Sequence, residues 1–87
     1  MNYSYKTSGT CSKEIRFSLE DGRLHNVSFL GGCNGNLQGI GKLVEGQLAS
    51  EVVNRLEGIS CAGRPTSCPD QLAQAIRQAL ANEKSTL

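Results

Sequence analysis

The apolar periodicity of this chain changes once, and that change constrains the fold more than any other feature. Tyr3 and Tyr5 alternate with Ser4 and Lys6, then Ile15, Phe17 and Leu19 alternate with Glu14, Arg16 and Ser18. A period of two is the signature of half-buried strands. Leu24 to Leu30 reads as the returning strand of a hairpin. Beyond Gly31 the period lengthens. Leu37, Ile40, Leu43 and Val44 share one helical face, Leu48, Val52 and Leu56 a second, and Leu72, Ala73, Ile76, Ala79 and Leu80 a third. Strands followed by helices predict an α+β fold. The expected elements are a three-stranded antiparallel sheet over about 2-7, 13-20 and 24-30 and helices over about 36-45, 49-57 and 68-82, the last packed across the sheet.

Local signals refine this outline. Glu20-Asp21-Gly22 is the hairpin turn. A two-residue Asp21-Gly22 turn sets Phe17 opposite Asn26 and Ile15 opposite Ser28, which mixes the two faces. A three-residue loop with Gly22 left-handed in a bulge sets Ile15 opposite Val27, apolar against apolar, and is the expected form. The same register brings Cys11 opposite Gly31, close to Cys33. Gly46 is the expected C-terminal cap of the first helix. Gly39 and Gly41 weaken that helix by about 1 kcal/mol each relative to Ala, so tight backbone contact is expected there. Ser50 is the cap candidate for the second helix. Ser67-Cys68-Pro69-Asp70 opens the third, with Ser67 as cap and Asp70 in the capping-box position.

A core built this way is thin. The 87 residues suffice for one domain, 1-87, with two Phe, two Tyr and no Trp, and a chain of this size buries only about 60% of its unfolded surface. Help from a disulfide, a metal or a partner is expected. The N-terminal segment Met1-Asn2-Tyr3-Ser4-Tyr5-Lys6 has no apolar run, so neither a signal peptide nor a membrane anchor is expected, and the expected location is cytoplasmic. Thiols in that compartment stay reduced, which favours metal or redox chemistry over structural disulfides. Nine Lys and Arg against eight Asp and Glu give a net charge of +1 without a basic stripe. Nucleic acid and membrane surfaces are therefore not expected partners.

The four cysteines carry the chemistry. Cys68 falls in the first turn of the last helix, where free N–H groups and the helix dipole stabilise a thiolate. Cys61 precedes it across the loop Ala62-Gly63-Arg64-Pro65-Thr66-Ser67. Cys33 is flanked by Gly31-Gly32 and Asn34-Gly35, which lets backbone amides approach sulfur. With Cys11, four sulfurs in tetrahedral array suit zinc or an iron–sulfur cluster. The spacings are not the paired C-x-x-C of a zinc ribbon, and unrelated buried thiols are the alternative. A thiol–disulfide pair of Cys61 and Cys68 is another. Arg64 is a planar donor suited to carboxylate or phosphate; it serves either to offset thiolate charge or to dock a partner.

Other motifs fail. Gly41-Lys42 is followed by Leu43, so there is no P-loop, and Gly39-x-Gly41 lacks the third glycine of a dinucleotide fingerprint. His25 reads as a partly buried strand residue far from any obvious acid, which argues against a hydrolase triad. Asp21, Glu45 and Glu57 read as ordinary turn and helix-surface carboxylates.

Arg64-Pro65-Thr66-Ser67-Cys68-Pro69-Asp70-Gln71-Leu72 resembles the signature of the TSCPD domain family, and Gly32-Cys33-Asn34-Gly35-Asn36-Leu37 and Gly58-Ile59-Ser60-Cys61 look like its other cysteine motifs. The resemblance spans nearly the whole chain and is closest to the short stand-alone members. Such domains also end adenosylcobalamin-dependent ribonucleotide reductases, where the cysteines are thought to bind metal. The resemblance implies a metal-binding accessory domain, zinc the first candidate, linked to deoxyribonucleotide synthesis, with the reductase large subunit as a partner. Catalysis by the chain alone is not expected, because the radical chemistry needs a large barrel with cobalamin and nucleotide sites. The order of hairpin, Gly-Cys, helix and a cysteine before a final helix is also similar to U-type iron–sulfur cluster scaffolds. Cys11, Cys33 and one of Cys61 or Cys68 match the scaffold positions, while a fourth thiolate favours a stable site over cluster transfer.

Overall fold

A computed structural model describes the chain apart from Cys11, Cys33, Cys61, Ala62, Arg64, Thr86 and Leu87; of Asn34, Lys84 and Ser85 it describes the backbone alone. Strands β1 (Asn2–Lys6), β2 (Ser12–Glu20) and β3 (Arg23–Gly31) are followed by helices α1 (Asn34–Val44), α2 (Ala49–Leu56) and α3 (Cys68–Ser85). The strands form an antiparallel sheet in the order β1-β2-β3. The fold is α+β, as the change of period predicts. α1 starts slightly earlier, and α3 runs slightly longer, than the sequence pattern suggests.

The hairpin turn differs from expectation. Glu20 pairs with Arg23, so the loop is the two-residue Asp21-Gly22 turn, with φ of 52° and 78°. Positive φ at both central residues matches the twist of the flanking strands, and that local preference prevails. The mismatch of faces is repaired further along. Asn26 and Val27 together oppose Phe17 in a bulge, and beyond it Ile15 pairs with Phe29 rather than Val27. Asn26 takes the left-handed conformation, φ 57°, which Asn tolerates better than most residues. Its N–H donates to Glu45 Oε1 at 2.8 Å. A second irregularity between Ser12 and Glu14 leaves Gly31 opposite Ser12, not opposite Cys11.

α3 and α2 cover one face of the sheet. Ile15, Phe17 and Leu19 of β2, with Leu24 of β3, meet Leu72, Ala73, Ile76 and Ala79 of α3 and Ala49, Val52 and Val53 of α2. Ile15, Leu24, Leu72 and Ile76 are fully buried, and each such side chain contributes about 1.5–3 kcal/mol. Tyr3 stacks on Phe17, ring centroids 5.5 Å apart, and its hydroxyl donates to Glu83 Oε2 at 2.7 Å, tying β1 to the far end of α3.

α1 lies along the edge of β3. A Cβ on Gly41 would stand 2.8 Å from Val27 O, so the helix backbone is seated directly against the bulge. A Cβ on Gly39 would meet nothing within 4 Å, so the expected tight contact holds for Gly41 and fails for Gly39. Gly46, φ 75°, ends this segment and donates to Leu24 O at 2.7 Å, while Leu24 N–H donates to Gln47 O at 2.9 Å. Those bonds cover part of the β3 edge, which would otherwise offer unpaired groups to another strand. α2 is capped by Leu48 without a side-chain bond, and Ser50 lies inside the helix, contrary to the expected cap. Among the described residues, no helix is long and apolar enough to cross a membrane.

Candidate metal centre

The start of α3 is built as its sequence predicts. Ser67 Oγ accepts the Asp70 N–H at 3.1 Å, and Ser67 O accepts the Gln71 N–H at 2.8 Å. Pro69 follows Cys68 where a missing N–H costs nothing, because the first amides of a helix lack helical acceptors. Ser67 Oγ also donates to Ile59 O at 2.6 Å, tying the segment before Cys61 to the helix.

Asp70 departs from the capping-box expectation. Its carboxylate accepts the Thr66 hydroxyl at Oδ2, 2.5 Å, and the Gly58 N–H at Oδ1, 2.8 Å. Those donors, the Thr66 hydroxyl first, hold its carboxyl below the usual aspartate range against the opposing effect of burial. Gln71, also buried, donates from Nε2 to Thr66 Oγ1 at 3.0 Å and accepts the Ser8 N–H at Oε1, 3.2 Å. Gly9 packs so closely on Thr66 that a Cβ would stand 2.9 Å from its methyl.

The segment after β1 folds onto the same place. Ser12 is buried, and its Oγ lies 3.2 Å from Cys68 Sγ and 3.2 Å from Thr10 Oγ1. The Thr7 hydroxyl donates to Ser12 O at 2.5 Å. Ser12 pairs with Gly31. A Cβ on Gly32 would meet Ser12 N at 3.2 Å and Leu37 Cδ1 at 2.8 Å, with Gly32 at φ 83°. Residues 66–71 at the start of α3 thus meet Ser8, Gly9 and Ser12 from one segment and Gly58 and Ile59 from another, and Ser12 in turn meets Gly31 and Gly32. In sequence these residues lie within three positions of Cys11, Cys33 and Cys61.

Of the predicted site residues, Cys68 is described and buried. Cys11, Cys33, Cys61 and Arg64 lie outside the described residues. Among the described residues, no group of three or more His, Cys, Asp or Glu forms a metal-binding cluster. Ser12, Thr66 and Gln71 escape the sequence reading. Ser12 and Gln71 are buried through contacts between distant segments, whereas the i, i+4 spacing of Thr66 and Asp70 is a legible hint.

A second polar group lies on the other side of β3. His25 is partly buried, as expected, but it is not remote from an acid: its Nδ1 lies 2.8 Å from Glu45 Oε2. Glu45 is no ordinary surface carboxylate either. The Asn26 N–H and then His25 hold it below the usual glutamate range, and it fastens the end of α1 to the β3 bulge. Glu57 pairs with Arg77 at 2.7 Å. A groove of about 600 Å³ lies between β3 and α1, lined by Val27, Phe29, Leu37, Gln38, Lys42 and Glu45.

No curated protein and no solved structure matches the chain. The family model of the TSCPD domain matches residues 1–80. That match takes in the hairpin, the glycine-flanked Cys33 and the Thr66-Ser67-Cys68-Pro69-Asp70 start of α3, and the chain belongs to the TSCPD domain family.

Proposed function

We propose that this chain is a metal-binding accessory domain in which Cys11, Cys33, Cys61 and Cys68 hold one structural zinc ion. The observation that carries this reading is the convergence of their sequence neighbours. Ser12 contacts Cys68, Gly32 abuts Ser12, and Ser67 bonds to Ile59, two residues before Cys61. The surroundings of Cys68 fit a thiolate donor. Four thiolates bring more negative charge than a divalent ion cancels, and the Ser12 hydroxyl and the positive end of the α3 dipole can offset part of it. Zinc would cancel half of the thiolate charge and cross-link the segments that carry the four cysteines.

Family membership supports a link to ribonucleotide reductases and so to deoxyribonucleotide synthesis. The proposed partner is the reductase large subunit, with Arg64 as the docking residue. Metal analysis after purification without oxygen tests the main reading. One zinc per chain is expected, with lower metal content and lower thermal stability in each single Cys→Ser variant. Unchanged metal and stability in Cys11→Ser would refute a single four-cysteine site. Anaerobic reconstitution yielding a stable iron–sulfur chromophore that passes to an apo-ferredoxin would replace zinc with a scaffold role. A reversible Cys61–Cys68 disulfide formed without metal loss would indicate redox function.

A further inference from the structure

The polar groups at the start of α3 form one continuous hydrogen-bonded chain across three segments. It runs from the Ser8 N–H to Gln71, from Gln71 to Thr66, from Thr66 to Asp70, and from Asp70 to the Gly58 N–H. Its donor order is fixed. The single Thr66 hydrogen goes to Asp70, so Thr66 Oγ1 must accept from Gln71. That turns the carboxamide so that its oxygen meets the Ser8 N–H. A carboxamide fills this place because it donates at one end and accepts at the other. Glu would set acceptor against acceptor at Thr66, and Met would remove both the donor to Thr66 Oγ1 and the acceptor of the Ser8 N–H. Gln71 and Asp70 are each 6% exposed, so their own polar atoms depend on these protein partners rather than on bulk water.

These bonds do not serve the apolar core, which α3 forms with Leu72, Ala73, Ile76 and Ala79. They join the segments leading to Cys11 and Cys61 with the helix turn that holds Cys68. We propose, resting on the metal-site reading above, that Gln71 and Asp70 are positioning residues. They hold those segments in place before metal arrives, so that metal enters an ordered site rather than folding one. Groups that orient ligands from outside the coordination shell affect metal affinity without touching the ion.

The test uses the full chain with Co(II) as probe, in wild type, Gln71→Met, Gln71→Glu, Thr66→Val and Thr66→Ser. Three quantities are read: Co(II) affinity against a chelator, the thiolate-to-cobalt absorption, and amide exchange in the metal-free chain. Gln71→Met, Gln71→Glu and Thr66→Val should weaken Co(II) binding about 10- to 100-fold and alter the absorption. Protection should fall at Ser8 and Gly58 while the amides of Leu72 to Ala79 keep theirs. Thr66→Ser, which retains the hydroxyl, should restore affinity and spectrum. A merely structural role would lower protection evenly and leave the spectrum of the loaded protein unchanged. That result, or wild-type affinity in Gln71→Met, overturns the proposal while the metal site stands. A wild-type chain that takes up no Co(II) sinks the metal reading, and this proposal with it.

Discussion

Two glycines in α1 should respond to alanine with opposite signs, and the difference can be worked from the structure. An added Cβ at Gly39 meets nothing within 4 Å, so Gly39→Ala gains the helix propensity alone, about 0.5–1 kcal/mol. At Gly41 the same Cβ would stand 2.8 Å from Val27 O, well inside van der Waals contact. The obstacle is a backbone carbonyl in a bulge pinned by Glu45, not the end of a flexible side chain, so it cannot swing aside. Overpacking of this kind costs about 1–3 kcal/mol. Setting the propensity gain against the upper half of that range leaves Gly41→Ala destabilised by about 1–2 kcal/mol. The two variants should therefore differ by about 2–3 kcal/mol, on the order of 10 °C or more in Tm for a domain of this size. Urea unfolding at fixed metal content, read from the midpoint with the slope unchanged, is the assay. Equal stability of the two variants would refute the seating of α1 against β3. Because α1 begins beside Gly32 and Cys33, Gly41→Ala should also reduce metal retention, and Gly39→Ala should not.

Further outcomes follow from the same contacts. Glu45 is held ionised in the folded chain by the Asn26 N–H and His25, so its contribution to stability is complete above the ordinary glutamate range, about 4–4.5. It is lost as pH falls through the lower folded value. The stability difference between wild type and Glu45→Gln should shrink between neutral pH and the acid limb of a urea series, and a difference independent of pH would contradict the assignment. Asn26→Val should destabilise by about 1–2 kcal/mol, since a β-branched residue resists the left-handed conformation, and Asn26→Gly should be close to neutral; equal losses would show that the side chain matters more than the backbone. Ser12→Ala should leave the chain folded yet speed metal release to a chelator, because the hydroxyl beside Cys68 Sγ is gone, and unchanged release would remove Ser12 from the site. Arg64→Ala should leave metal content and folding intact while abolishing co-purification with the reductase large subunit, and loss of metal would assign Arg64 to thiolate charge instead.

The fold is legible in the sequence wherever one face of an element decides its burial. The alternation around Ile15, Phe17 and Leu19 and the stripe of Leu72, Ala73, Ile76 and Ala79 are such places, and both lie in the observed core. Register is less legible, for a physical reason. Matching apolar faces argues for a three-residue loop, yet Asp21-Gly22 strongly favours the two-residue turn, and a bulge at Asn26 and Val27 satisfies both demands. At that bulge the Asn26 N–H is met by Glu45, in the turn after α1, a partner that no reading of the hairpin alone could supply. Ser50 misleads for the opposite reason: a good capping residue stands inside α2, while the cap position falls to Leu48, which bridges to Arg23.

At the candidate site, the cysteines are readable from the sequence as candidate ligands, and the groups packed around Cys68 are not. Cysteine stands out in a chain of this length, whereas Gln71 looks like any polar residue next to an apolar stripe until Ser8 is folded against it. The Thr66-Ser67-Cys68-Pro69-Asp70 run gains a meaning from the structure that ligation alone does not give it. Ser67 caps the helix, and Pro69 occupies a first-turn position that needs no helical amide bond. Thr66 and Asp70 bond to each other and reach Gln71 and Gly58 on either side. A single thiol thus sits within a run whose other members shape and tether the turn that carries it. On that account, Thr66→Val or Asp70→Ala should lower metal retention as loss of a cysteine does while differing in thiol titration, where all four cysteines would still be counted.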